Sequence, residues 1–166
     1  MQVLGHPRTL VRGFPAPEIY NMPRLSQYFV KSSLVCLAFG FTIGGLILAS
    51  KATTLISAFV WLWFPAHITI LLNGWLVQLA VGVAYWILPR VSGSERGRGR
   101  WAWASFFVLQ TGLGLAALSM LQIWWPPASQ FFAPGVVLQA LAIILFVIHA
   151  WPRVRSAIAQ KMTAEE

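Results

Sequence analysis

Charge is missing from most of this chain in long, unbroken blocks. No Asp, Glu, Lys or Arg occurs between Lys31 and Lys51, between Lys51 and Arg90, or between Arg100 and Arg153. A helix crossing a bilayer needs about 20 apolar residues at a rise of about 1.5 Å each. The first block holds one such span, 32–50. The last, interrupted by Pro126, Pro127 and Pro134, holds two, 101–124 and 132–151. The middle block is too long for one helix and short for two. Pro65 divides it into an apolar piece, 54–64, and a full-length piece, 66–88, since proline starts or ends a helix more readily than it continues one. The expected fold is an all-α, integral membrane four-helix bundle with a short outer interfacial segment before the second span. Residues 1–30 form a proline-containing arm, 31–152 the membrane domain and 153–166 a tail.

Composition and charge agree with this reading. Only 10% of the 166 residues are charged, against about 25% in a soluble domain, so a water-soluble globule is excluded. The excess of 12 Lys and Arg over 4 acids gives a net charge of +8. Basic residues flanking spans are retained on the cytoplasmic side. Arg8, Arg12, Arg24 and Lys31 precede the first span, Arg90, Arg96, Arg98 and Arg100 separate the second and third, and Arg153, Arg155 and Lys161 follow the fourth. Lys51 alone lies on the opposite side. Both termini are therefore expected in the cytoplasm, in a bacterial-type cytoplasmic (inner) membrane. The basic SGSERGRGR stretch reads as a solvated topology determinant, with nucleic acid not a partner. Trp61, Trp63, Trp124 and Trp125 fall at the outer interface, and Trp86, Trp101, Trp103 and Trp151 at the inner one. No cleavable signal peptide is expected, because Pro7, Pro15, Pro17 and Pro23 interrupt the first residues.

In hydrocarbon, helices associate through close packing of small residues and interhelical hydrogen bonds. Cys36, Gly40 and Gly44 recur every four residues on the first span, making a smooth stripe for helix packing or for a flat cofactor or lipid. On the second span, at 100° per residue, His67, Gly74, Gln78 and Tyr85 point within roughly 20° of one direction, and Gly82 lies close to it. Asn73 lies off that face and needs a separate partner, since an unpaired amide in lipid is costly. Gln110 of the third span lies at about the depth of Gln78, and Gln139 of the fourth sits nearer the outer edge.

Reactive groups are few. The single Cys36 excludes an internal disulfide, a CxxCH haem attachment and a Cys/His finger. His6, in the arm, carries no readable signal. His67, at a helix N-terminus just after Pro65, is kept neutral by the helix dipole and free to bind iron, which makes it a candidate haem b ligand. Its weaker companion is Met120, at the same depth on the third span. His149 lies about 25 Å from His67 along the membrane normal by helix rise, so the two cannot share an iron. It reads as an interfacial histidine near the headgroups, with a quinone contact through Tyr85 and Ser105 as the minor alternative.

Pro65-Ala66-His67, Gly74-Trp75, Gln78, Gly82-Val83-Ala84, Trp86 and Leu88-Pro89-Arg90 carry a resemblance. So, less strongly, do Met22-Pro23-Arg24 and Trp101-Ala102-Trp103. The segment 65–90 resembles a stretch in small four-helix membrane proteins similar to subunit I of the cbb3 branch of haem-copper oxidases. The resemblance implies a respiratory or photosynthetic electron-transport setting and carries over one histidine, His67. It does not imply oxidase activity, because the catalytic subunit has many more spans and a set of metal-binding histidines distributed over them. Where a polar or acidic residue is expected two positions after His67, this chain has Thr69.

Three function classes compete: a non-catalytic accessory subunit packed on other membrane-protein subunits and lipid, a small b-type haem protein, and a carrier or channel. The absence of charge inside the spans counts against the third. The lack of a nucleophile-base pair, a carboxylate pair or a phosphate loop favours the first.

Overall fold

A computed structural model describes residues 22–53, 58–88 and 99–164. The start of the arm and most of the basic loop, with Arg90, Arg96 and Arg98, lie outside the described residues. Four helical runs are long and apolar enough to cross a membrane: Arg24–Ala52, Phe59–Ile87, Gly99–Ile123 and Pro126–Arg155. The described residues contain no strand, and the chain is an all-α, multi-pass bundle.

The first span is α1, Arg24–Ala52. It starts directly after Pro23, whose carbonyl accepts the Gln27 N–H at 3.1 Å, because nothing between Pro23 and Ser32 breaks a helix. Its 29 residues reach about 43 Å, longer than the roughly 30 Å hydrocarbon layer. The second span is a composite. Tight 3-10 turns over Ala58–Trp63 lead into α2, Phe64–Thr69, then wide π-helical turns over Ile70–Val77, then α3, Gln78–Ile87. Pro65 sits in the first turn of α2, where its missing N–H has no intrahelical acceptor to lose. The described part of the piece expected at the outer interface, 58–64, thus joins the second span in one helical run.

The third span is α4, Gly99–Leu118, tightened to 3-10 turns over Ser119–Ile123. A short turn, Pro126–Phe131, leads into α5, Phe132–Ala164. Pro134 lies in the first turn of α5, and Pro152 lies inside it without ending it, so the helix runs on through the expected start of the tail.

Two antiparallel hairpins make the bundle. In the first, side chains of the second span lie in the small-residue stripe of α1: His67 over Gly44, Leu71 over Gly40, and Gly74 against Cys36. Nearer the inner end the roles reverse, and Phe29 fills the space at Gly82. In the second, α4 and α5 touch backbone to backbone. A Cβ on Gly112 would meet the Gly135 carbonyl oxygen at 2.7 Å, and one on Gly135 the Gly112 carbonyl at 2.8 Å. Between the hairpins sit an inner apolar cluster that includes Phe29, Tyr85, Phe106 and Leu109, and an outer one that includes Ile43, Ile70 and Met120. Phe29 and Phe106 meet edge to face at 5.0 Å.

Backbone cannot step aside as a side chain can. Gly112→Val is therefore expected to cost at least the 1–3 kcal/mol typical of overpacking, read as loss of stability in a denaturant titration in micelles. Gly114→Ala, which meets nothing within 4 Å, should leave stability unchanged or slightly raised. Equal behaviour of the two variants would show that α4 and α5 do not pack this way.

Candidate functional site

The polar residues of the spans converge on the interior of the bundle. At mid-depth the Asn73 amide nitrogen donates to Gln139 Oε1 at 2.7 Å, and Gln139 Nε2 donates to the Gly112 carbonyl at 3.1 Å. A turn further in, Gln78 Nε2 donates to Gln110 Oε1 at 3.0 Å. Gln78 is fully buried, and its Oε1 has no donor among the described residues. Below that level Ser105 Oγ donates to the Ala142 carbonyl at 2.8 Å. These bonds tie the second span to both α4 and α5 and tie α4 to α5.

Of the face expected from His67 to Tyr85, Gly74, Gln78, Gly82 and Tyr85 are all buried, and His67 is half-buried at its outer end. Their partners differ: His67 turns to α1, Gln78 to α4 and Tyr85 to α5. Asn73, expected off that face, finds its own partner in Gln139 of α5. The π-helical stretch, Ile70–Val77, lies in the middle of this run. The depth match of Gln78 with Gln110 holds.

His67 is half-buried, with Nδ1 at 3.0 Å from the Gly40 carbonyl. A carbonyl only accepts, so Nδ1 donates this hydrogen bond. The ring lies against Gly44, whose added Cβ would meet Cε1 at 2.7 Å. Met120 packs in the outer apolar cluster, and its backbone carbonyl accepts the Trp63 Nε1–H at 2.7 Å. Close by, Gln122 Nε2 donates to the Leu62 carbonyl at 2.9 Å.

The inner end differs from the sequence expectation. His149, read as interfacial, has its side chain buried inside the bundle, its ring stacked on Tyr85 with centroids 5.6 Å apart. Arg153, counted in the tail from its place after Pro152, is 1% exposed. Its guanidinium donates to the Leu88 carbonyl at 2.7 Å and lies 5.4 Å from the Tyr85 ring centroid. The missed signal was the spacing Gln139, Ala142, Phe146, His149 and Arg153, an inward stripe at alternating steps of three and four. The described residues contain no group of His, Cys, Asp and Glu suited to a metal ion. No family model, curated protein or solved structure matches this chain.

The amide pair gives a quantitative test. A double-mutant cycle with Asn73→Ala and Gln139→Ala is expected to return a coupling of about 0.6 kcal/mol and at most about 1.7, the range of such bonds in membranes. Additivity of the two substitutions in the unfolding free energy would deny the bond.

Proposed function

We propose that the chain is a non-catalytic transmembrane subunit of a respiratory or photosynthetic electron-transport complex in a bacterial-type cytoplasmic membrane. The observation that supports this most is how its polar side chains are used. Asn73, Gln78, Gln110, Gln139, His67 and Arg153 all engage a neighbouring helix, which is how a scaffold uses its polar groups. The electron-transport setting rests on the resemblance of 65–90. Its partners are other membrane-protein subunits, met through lipid-facing surfaces. Gentle detergent extraction from native membranes, followed by native gel analysis, should show the chain migrating with a larger assembly. Migration as a free monomer after the mildest extraction would end this reading.

One observation favours a second reading, a b-type haem protein. The Gly40 carbonyl takes the His67 Nδ1 hydrogen bond and orients the ring, so Nε2 is the nitrogen left for an axial bond. The chain's other candidates do not complete the pair: Met120 is packed in the outer cluster and His149 is stacked on Tyr85 near the opposite end. A second axial donor would have to come from a partner. A Soret band that shifts on reduction, present in a preparation with native lipids and partners and absent in both His67→Ala and His67→Gln, is the outcome this reading requires. A featureless spectrum in that preparation leaves the scaffold reading alone.

A further inference from the structure

We propose that the seam between α1 and α4 at the basic end of the bundle binds an anionic phospholipid carrying two phosphates in its headgroup. Arg24, Tyr28 and Lys31 follow one another at steps of four and three on α1 and are all exposed, so they form one stripe facing out of the bundle. Tyr28 crosses to α4, its ring centroid 5.8 Å from Trp103. Arg100, also exposed, lies one turn before Trp103 on α4. Both helices run outward from this end. By helix rise, Arg24 is about 6 Å and Arg100 about 4.5 Å nearer the water than the Tyr28–Trp103 contact, and Lys31 is about 4.5 Å deeper. Two guanidinium groups thus stand at matching depth on α1 and α4, which Tyr28 and Trp103 join, with the Lys31 ammonium deeper on α1.

The order of chemistry along the membrane normal matches a phospholipid. Arg24 and Arg100 come first, then the Tyr28 and Trp103 rings, then Lys31 about one turn deeper, then exposed apolar surface from Val35 on α1 and Phe107 on α4. Guanidinium groups bind phosphate in bidentate fashion, and basic pockets between transmembrane helices are where multiply charged headgroups bind. A headgroup with two phosphates on one glycerol can reach both sides of the seam, whereas a single phosphate reaches one.

The test is native mass spectrometry of the full chain in detergent, titrated separately with diphosphatidylglycerol, phosphatidylglycerol and phosphatidylcholine. Diphosphatidylglycerol should bind at least tenfold more tightly than either of the others. Each of Arg24→Gln, Lys31→Gln and Arg100→Gln should weaken it about fivefold, and the triple variant about a hundredfold. Lys51→Gln, at the other end of α1, should leave it unchanged. All four side chains are exposed, and circular dichroism checks that the variants stay helical. The proposal fails if phosphatidylcholine or phosphatidylglycerol binds as tightly as diphosphatidylglycerol, or if the triple variant keeps wild-type affinity.

Discussion

Hydrocarbon supplies neither water to satisfy a polar group nor a hydrophobic force to press helices together. In this bundle both needs fall on the second span. Asn73 bonds to α5, Gln78 to α4, and the Leu88 carbonyl takes the Arg153 guanidinium. At the other end the Leu62 carbonyl takes Gln122 and Trp63 donates to Met120. Each of these bonds between the two hairpins has one end on the same helical run. Each adds only about 1 kcal/mol net, but an amide left bare in lipid costs several times that. Their effect is therefore on specificity: alternative registers of one hairpin against the other strand several polar groups at once.

Within each hairpin the solution is different. The first hairpin packs side chain into glycine, so His67 and Leu71 occupy the stripe that Gly40 and Gly44 leave open. A flat cofactor or lipid in that stripe would have to displace them. The second packs glycine against glycine, bringing backbones near enough for direct contact between the Gly112 and Gly135 units. Dispersion across these close approaches, together with the aromatic contact of Phe29 with Phe106, holds the bundle together where no hydrophobic drive exists.

Span number and depth were legible in the sequence because both are one-dimensional. A charge-free length counts spans, and a rise of about 1.5 Å per residue puts Gln78 level with Gln110 whatever the helices' rotation. Much of the azimuth was legible too: Gly74, Gln78, Gly82 and Tyr85, which 100° steps put on one face, are all buried, and Asn73, put off that face, has its own partner on α5. Which neighbouring helix each residue meets was not, since that depends on how the four helices are arranged. The Gly112–Gly135 contact was also hidden, since it requires two helices in register and neither glycine belongs to a repeated motif. Arg153 was obscured by Pro152, which reads as a helix end; α5 continues through it, and the same charge that marks topology from outside is buried against Tyr85.

The π-helical turns persist because both ends of the second span are pinned. Returning Ile70–Val77 to a regular α-helix would rotate α3 against α2 by about 100° for each residue removed from the widened turns. The outer half cannot follow, with His67 on the Gly40 carbonyl and Trp63 on the Met120 carbonyl. Nor can the inner half, with Gln78 on Gln110 and the Leu88 carbonyl on Arg153. Relaxing the widened turns would break two hydrogen bonds at one end or the other. The irregular turn is thus the lowest-cost way for one helix to satisfy three neighbours. Its widened geometry is maintained by Asn73 and Gln78 together, one on each adjoining helix of the second hairpin.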